Sequence, residues 1–286
     1  MRALRAMRRV ELPGGERIPV LGQGTYRMGE DRDARRREVA ALRAGIELGM
    51  TVVDTAEMYA DGGAERVVGE AIKGRRDDVF VITKVYPWNA TREGMAQACE
   101  RSLRRLGTDR IDLYLLHWRG GVPLRETVDA FHALIEAGRI RYAGVSNFDV
   151  EDLAELARLK GGLEEIVADE VMYNLEHRGI EHDLVGWCRK RKRAVIAYSP
   201  VEEGLLTTAN HVALAAVAQR HGVTAAQVAL AWVVREPGVI AIPKAARAAH
   251  ARENAAASDL RLMPRDLDEL DASFAPPDEK VPLATR

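Results

Sequence analysis

The chain has 286 residues, of which 47% are hydrophobic and 30% charged, as in an ordinary globular protein. Its 42 Lys and Arg residues balance 43 Asp and Glu residues, so it lacks the basic field that nucleic-acid-binding and membrane-surface proteins carry. The longest apolar stretch, around 225–234, is far shorter than the ~20 residues that a membrane span requires, and we expect neither a membrane nor a nucleic-acid partner.

The cysteines and the N-terminal segment indicate where the protein works. Cys99 and Cys188 are far apart and belong to no Cys-x-x-Cys motif, which predicts reduced thiols in a cytoplasmic chain. The first ten residues hold four arginines, but Pro13-Gly14-Gly15 follows before an apolar signal-peptide core could form. We therefore expect a cytoplasmic protein, and we expect it to be a monomer.

Short apolar segments alternate with helical patterns along the whole chain. Residues 9–20 alternate around Pro13-Gly14-Gly15 and predict a β-hairpin. Several predicted helices end at a glycine, which favours a left-handed residue after the last turn. The predicted strands are 19–23, 51–53, 79–82, 111–116, 140–145, 166–171, 194–198 and 239–242. The predicted helices are 35–48, 65–73, 93–106, 124–137, 151–159, 180–191, 211–221, 225–234 and 263–274, and the glycines are Gly49, Gly74, Gly107 and Gly138.

The spacing of these strands predicts the architecture. Most predicted strands recur at intervals of about 25 to 31 residues, the length of one βα unit. Strands that are apolar on both faces imply a parallel sheet covered on both sides. The pattern predicts an α/β fold, a (β/α)8 TIM barrel with an N-terminal β-hairpin, and a doubly wound sheet is the alternative. No linker divides the sequence, so we expect residues 1–286 to form a single domain.

Polar residues follow the apolar strands at the points where they end. Asp54, Lys84 and His117 end three consecutive strands, and Ser146-Asn147 and Lys244 follow two later ones. In a parallel barrel these positions share one rim, where barrel enzymes build their active sites. A solvated strand end is the better explanation for any one of them alone, but the three consecutive residues together favour a site.

Tyr59 lies a few residues after Asp54 and can fold back over this rim. An ammonium group beside a phenol lowers the pKa of the phenol, and a carboxylate keeps the ammonium charged. We therefore expect Tyr59, Lys84 and Asp54 to protonate an alkoxide that develops on a carbonyl substrate, with His117 orienting the substrate oxygen. Because none of these groups supplies a hydride, the pattern points to a nicotinamide cofactor.

Through these residues and the segments around them, the sequence resembles the aldo-keto reductase family over roughly residues 20–274. The resemblance is carried by segments 22–25, 54–59, 82–84, 103–118, 144–148, 197–200, 242–245 and 252–254. Segments 57–65 and 85–89 are most similar to those of bacterial aldehyde and methylglyoxal reductases. This implies NADPH-dependent reduction of aldehydes or ketones to alcohols, with methylglyoxal, other small or 2-oxo aldehydes and aromatic aldehydes as expected substrates.

The resemblance also implies roles for matched residues. Tyr59 would be the general acid, Asp54 and Lys84 would tune it, and His117 would place the carbonyl group. Tyr198 would stack on the nicotinamide ring, and Lys244 would pair with the 2′-phosphate. The full expected cofactor set is Thr25, Ser146, Asn147, Glu170, Tyr198, Ser199, Pro200, Lys244, Ala245, Arg247, Glu253 and Asn254, and the expected substrate set is Tyr26, Trp88 and Trp118.

Purely structural roles remain open for some of these residues. Tyr198 could be a core aromatic, Asn254 a helix-surface residue, and the two tryptophans surface anchors of the barrel.

The sequence departs from the family pattern at three places. Asp169-Glu170 stands where the family usually has Asn-Gln, and an anionic Glu170 near the nicotinamide would favour the oxidised, positively charged ring. Ala245 and His250 replace a serine and an arginine, so the preference for NADPH depends mainly on Lys244, and NADH is the alternative cofactor. The third departure is Tyr26, which stands where a tryptophan is common.

Competing chemistries fit the sequence poorly. Residues 22–27 lack the last glycine of a dinucleotide-binding G-x-G-x-x-G motif, and residues 69–75 lack the lysine of a phosphate-binding loop. His177 and His182 form the only close histidine pair, and we expect no metal site. An NADPH-binding sensor or regulatory subunit with little turnover is the alternative function, but the intact group around Tyr59 favours catalysis.

Overall fold

The computed structural model describes residues 7–208 and 211–285. The strands of this part are β1 (Arg9–Glu11), β2 (Arg17–Pro19), β3 (Gln23–Gly24), β4 (Val52–Asp54), β5 (Phe80–Val85), β6 (Ile111–Leu116), β7 (Ile140–Ser146), β8 (Ile166–Met172), β9 (Ala194–Tyr198) and β10 (Val239–Ala241). The helices are α1 (Arg35–Glu47), α2 (Gly63–Ile72), α3 (Arg92–Leu106), α4 (Leu124–Glu136), α5 (Val150–Arg158), α6 (Leu184–Lys190), α7 (Leu205–Thr208), α8 (Val212–His221), α9 (Ala225–Val233), α10 (Ala248–Ala256) and α11 (Pro264–Ser273).

Strands β3 to β10 form one parallel sheet in sequence order, and the sheet closes on itself. Closure between its two edges depends on two isolated parallel bridges, Leu21 with Ala241 and Gly24 with Lys244. A Cβ atom on Gly24 would lie 2.6 Å from the backbone oxygen of Ile242, so only glycine allows this approach. The predicted (β/α)8 barrel is confirmed, and the doubly wound alternative is excluded.

The hairpin that precedes the barrel is also confirmed. β1 and β2 pair antiparallel, with Arg9 opposite Pro19 and Glu11 opposite Arg17. Gly14 and Gly15 in the turn have φ values of 101° and 89°, which glycine adopts at little steric cost.

The helices cover the barrel because their apolar residues recur at helical spacing. α3 buries Met95, Ala98, Cys99 and Leu103 on one face. Thr91 caps its start by accepting a hydrogen bond from the Gly94 amide at 3.1 Å. The four glycines that were predicted to follow helices all have positive φ, between 65° and 93°.

Some elements differ from the sequence-based expectations. The predicted helix 180–191 is a 3-10 turn, Gly179–Glu181, followed by the shorter α6. α10 was not predicted, because its sequence, AAHARENAA, is alanine-rich and has no apolar stripe. None of the helices that the structure describes is long and apolar enough to cross a membrane.

Candidate active site

The C-terminal rim of the barrel brings together the four residues that were predicted to act on a carbonyl group. Asp54 ends β4, Lys84 lies next to last in β5, His117 follows β6, and Tyr59 lies in the loop after β4. Lys84 Nζ lies 2.6 Å from Asp54 Oδ1 and 3.3 Å from the Tyr59 hydroxyl oxygen. The rings of Tyr59 and His117 meet edge to face, with centroids 5.9 Å apart.

Lys84 is a buried ammonium group with several acceptors around it. Its side chain is 1% exposed, and Nζ also donates to the backbone oxygen of Thr55 at 3.0 Å and lies 3.2 Å from Glu170 Oε1. Burial alone lowers the pKa of a lysine, but the Asp54 carboxylate at 2.6 Å raises the pKa of Lys84 well above its usual range. The lysine therefore stays charged, as expected.

The pKa of Tyr59 shifts in the direction opposite to the expected one. Burial is the largest cause and raises the pKa; the Lys84 ammonium opposes this rise, and the charge of Asp54 adds to it. The expected acidic phenol is therefore wrong for the protein alone. Because Lys84 donates to the phenol oxygen, the hydroxyl proton of Tyr59 stays available to a substrate oxygen.

His117 is neutral at ordinary pH. Burial, followed by the nearby charge of Lys84, lowers its pKa to about 3. Its Nδ1 atom is buried and has no hydrogen-bond partner within residues 7–208 and 211–285. A proton on Nδ1 would therefore lack an acceptor, which favours the tautomer with the N–H on Nε2, a donor for an oxygen atom.

Three of the expected nicotinamide-binding residues form one hydrogen-bonded chain beside His117. Tyr198 donates through its hydroxyl to Asn147 Oδ1 at 2.9 Å, and Asn147 Nδ2 donates to Ser146 Oγ and to the His117 backbone oxygen, both at 3.1 Å. Asn147 adopts a left-handed φ of 58°, a conformation that asparagine tolerates better than most residues. The chain fixes the half-buried Tyr198 ring at the end of β9.

Further expected cofactor residues flank this chain. Thr25 is fully buried, and its hydroxyl donates to the Asp54 backbone oxygen at 2.8 Å. Ser199 has a φ of 48°, and its backbone oxygen accepts from Asn174 Nδ2 at 2.9 Å. Pro200 follows it and is buried. These contacts hold the two strand ends in place on either side of the rim.

The start of α10 has the donor chemistry that a phosphate requires. Lys244, Arg247 and Arg252 are exposed, while Ala245 is buried. α10 begins after Arg247 with no side-chain cap on its free N–H groups. Cationic side chains beside a helix N-terminus bind phosphates, so these residues fit the 2′-phosphate of a dinucleotide.

Glu253 and Asn254, two of the expected cofactor residues, lie in the same helix. Glu253 Oε1 accepts from the Thr224 hydroxyl at 2.5 Å. Asn254 is buried, so the alternative of a helix-surface residue is wrong.

An aromatic wall lies over the rim. Tyr26 packs edge to face on Tyr59 with centroids 5.3 Å apart, and the Trp118 ring lies 4.9 Å from His117. Trp88 lies 5.9 Å from Trp118 and is 63% exposed, so it forms the outer edge of the wall. The sequence did not assign a role to Tyr86, which stacks on Trp88 at 4.2 Å.

Glu57 is a second residue without a predicted role. It is buried in the loop that carries Tyr59, and Oε1 accepts from the Tyr86 amide at 2.9 Å and from Asn89 Nδ2 at 3.2 Å. Arg101 lies 3.4 Å from its other oxygen. Glu57 therefore ties the Tyr59 loop to the end of β5, and its place two residues before Tyr59 was the signal available in the sequence.

Asp169, next to Glu170 on β8, is a buried carboxyl group whose two oxygens have no hydrogen-bond partner in the part of the chain that the structure describes. Burial raises its pKa well above the usual value, against the lowering effect of the Phe148 backbone, and the charges of Asp152 and Asp149 add to the rise. Folded protein then keeps a proton on Asp169 at pH values where unfolded protein has lost it. Stability must therefore fall as the pH rises from about 4, the unfolded pKa, towards the folded pKa.

We expect Asp169→Asn to remove this loss, because an amide does not titrate. The free energy of unfolding of the variant, relative to wild type, should rise between pH 5 and pH 8 by up to ~1.4 kcal/mol per pH unit. Chemical denaturation at the two pH values measures this. Asp109→Asn, at an 84% exposed side chain, is the matched control. If the difference in the free energy of unfolding between variant and wild type is independent of pH for both variants, the prediction is contradicted.

Comparisons with known proteins agree with this geometry. The model of the aldo/keto reductase family matches residues 20–274. The chain is 50% identical to methylglyoxal reductase YeaE of Escherichia coli, over 96% of this chain and 97% of the relative, and 32% identical to glyoxal reductase of Bacillus subtilis, over 92% and 91%. A crystal structure of an aldo/keto reductase from Klebsiella pneumoniae in complex with NADP and acetate superimposes with a TM-score of 0.94 at 48% identity, over 98% of this chain and all of the other.

Proposed function

The chain belongs to the aldo/keto reductase family, and from this we propose that it reduces small aldehydes, 2-oxo aldehydes such as methylglyoxal among them, to alcohols with NADPH. One observation carries the proposal. The Tyr59 hydroxyl receives a hydrogen bond from the buried Lys84 ammonium at 3.3 Å and keeps its own proton for a substrate at an aromatic-walled rim. The names of the two bacterial relatives support the substrate class, and the Klebsiella complexes with NADP and with NADPH support the cofactor.

In this proposal, the residues of the chain do everything except supply the hydride. NADPH, when bound, provides a hydride from its nicotinamide ring to the carbonyl carbon. Tyr59 donates its proton to the carbonyl oxygen, and the Lys84 ammonium stabilises the phenolate that remains. Asp54 keeps that ammonium charged, and His117 donates a hydrogen bond to the same oxygen as a neutral imidazole.

The other predicted residues bind the cofactor and enclose the substrate. Ser146 and Asn147 hold the carboxamide, the Tyr198 ring stacks on the nicotinamide, and Lys244 with the start of α10 holds the 2′-phosphate. Tyr26, Trp118 and Trp88 exclude water from one side of the substrate. The family match across residues 20–274 supports a single catalytic domain.

The direct test is to measure NADPH consumption with methylglyoxal and with 4-nitrobenzaldehyde through the loss of NADPH absorbance. The same assays are run with NADH in parallel. We expect turnover with both aldehydes and a preference for NADPH. Tight NADPH binding without turnover on either aldehyde, or on a wider aldehyde panel, would contradict the proposal and favour a sensor function.

The preference for NADPH is expected to depend on Lys244. Replacing it with alanine removes a charge-assisted contact of ~1.5–3 kcal/mol, which should weaken NADPH binding roughly 10- to 100-fold. The affinity for NADH, which lacks the 2′-phosphate, should not change. Fluorescence titration of both cofactors measures this. Lys73→Ala, at an exposed lysine just after α2, is the matched control, and equal losses for NADPH and NADH would rule out a phosphate contact.

A further inference from the structure

Glu170 contacts the group that handles the proton, although the family resemblance assigns it only to the cofactor. Its Oε1 atom lies 3.2 Å from Lys84 Nζ, and the side chains of Lys84 and Glu170 are 1% and 2% exposed. Its Oε2 atom is buried and receives no hydrogen bond within the described part of the chain. Lys84 therefore lies between two buried carboxyl groups, those of Asp54 and Glu170.

This arrangement places two carboxyl groups, which can each carry a negative charge, beside a single ammonium group. With both carboxyl groups ionised, Asp54, Glu170 and Lys84 carry a net charge of about −1 in a buried site, which is costly. Asp54 is the closer partner of the ammonium, at 2.6 Å. Burial raises the pKa of Glu170 well above its usual range, and the charge of Asp54 raises it further against the effect of Lys84. Glu170 is thus the carboxyl group that keeps a proton.

Among residues 7–208 and 211–285, the elements packed around Glu170 offer no other compensating charge. β4 contributes Asp54, β5 contributes Lys84, and the loop after β4 contributes Tyr59. The residues paired with Glu170 on β7 and β9 are Ser146 and Ile196, which carry no charge. His117, at the end of β6, is neutral because its pKa is lowered to about 3.

We propose that Glu170 stores the proton that restores Tyr59 after each reduction, with Lys84 as the relay between them. This rests on the function proposed above. Once Tyr59 has protonated the product oxygen, Lys84 Nζ lies within 3.3 Å of the phenolate oxygen and 3.2 Å of Glu170 Oε1. One proton moves from the ammonium to the phenolate, and one moves from the Glu170 carboxyl group to the lysine nitrogen.

The balance of the relay is simple. The O–H bond of Tyr59 forms and an N–H bond of Lys84 breaks and re-forms, while the O–H bond of Glu170 breaks. No electrons are transferred in these steps, because the hydride has already gone to the carbonyl carbon. Glu170 becomes an anion as the oxidised cofactor carries its positive charge, so the net charge of the buried site does not change. Glu170 then recovers a proton from water when the oxidised cofactor leaves.

Single-turnover kinetics can test the proton store. The complex of the protein with NADPH is mixed with excess aldehyde at neutral pH in weak buffer with a pH indicator dye, and NADPH absorbance and proton uptake are followed together. In wild type we expect proton uptake from water to lag behind NADPH oxidation until the oxidised cofactor leaves, because Glu170 and not water restores the proton of Tyr59. In Glu170→Gln the lag should be lost, because the Tyr59 phenolate left by the reduction then has only water as its proton source.

A second readout requires no turnover. If Glu170 loses its proton more readily beside a positive ring, binding of NADP⁺ releases a proton and binding of NADPH does not. As the pH rises, the affinity of the wild-type protein for NADP⁺, relative to its affinity for NADPH, should then increase by up to ~10-fold per pH unit. Glu170→Gln should show no such increase in fluorescence titrations. Asp169→Asn, the adjacent buried acid without a contact to Lys84, is the matched control and should keep both the lag and the pH dependence.

The outcomes separate this inference from the proposed function. Coincident proton uptake and NADPH oxidation in wild type would overturn the proton store and leave the reductase intact. A lag or a pH-dependent affinity ratio that survives in Glu170→Gln would overturn it as well. A complete lack of NADPH oxidation with any aldehyde would instead contradict the proposed function, while the titrations would still report on Glu170.

Discussion

Replacing Tyr59 with phenylalanine is expected to lower kcat by ~10²-fold or more, the range for loss of a general acid. The reason is that the phenol is the group that presents a proton to the rim: Lys84 donates to its oxygen at 3.3 Å, and His117 is a neutral imidazole with a lowered pKa. Steady-state kinetics with methylglyoxal give kcat. The dissociation constant of NADPH, from fluorescence titration, should not change.

The variant should also fold normally, because Lys84 keeps its contacts with Asp54, Thr55 and Glu170. Tyr142→Phe is the matched control. Its ring stacks on Phe80 in the early part of β7, remote from the rim, and we expect its kcat to equal that of wild type. Near-normal activity in Tyr59→Phe would mean that the proton comes from another group.

Replacing Lys84 with methionine is expected to reduce both activity and stability. Without the ammonium, the phenolate of Tyr59 loses its stabilising charge, and kcat should fall by roughly 10²- to 10⁴-fold. Asp54 would also lose its cation in a buried site, and breaking such a pair costs ~3–5 kcal/mol. Steady-state kinetics and chemical denaturation measure the two effects.

The stability loss in Lys84→Met should grow as the pH rises, because without the ammonium Asp54, like Glu170, can avoid the cost of a buried charge only by holding a proton. Adding Glu170→Gln removes one of these carboxyl groups and should recover part of the lost stability, although not the activity. A double-mutant cycle with the Glu170→Gln single variant gives the coupling energy. A coupling near zero would mean that the 3.2 Å contact between Lys84 and Glu170 contributes nothing to folding.

The barrel and its rim could be predicted because their signals are local in the sequence. Buried parallel strands are apolar on both faces, and their recurrence at the length of a βα unit fixes the architecture. Asp54 ends such a strand, Lys84 lies next to last in one, and His117 directly follows one. α10 escaped prediction because its alanines pack without an apolar stripe.

The contact between Glu170 and Lys84 could not be predicted in the same way. Glu170 lies on β8 and Lys84 on β5, with β6 and β7 between them in the sheet, so strand pairing does not place them together. They meet across the inside of the barrel, which depends on closure of the sheet and on side-chain length. The raised pKa of Tyr59 could not be predicted either, because its largest cause is the burial of the hydroxyl group, which depends on the same packing.

The two bridges that close the barrel have a thermodynamic consequence. One of them joins Gly24 to Lys244, so the residue proposed to hold the 2′-phosphate is part of the junction between the first and last strands of the sheet. Any ligand anchored at Lys244 restrains this junction, and a group that binds only the closed form must stabilise that form by mass action. Coenzyme binding and closure of the barrel are therefore linked, and each should make the other more favourable. The protein without coenzyme should be the form that opens more readily at this junction.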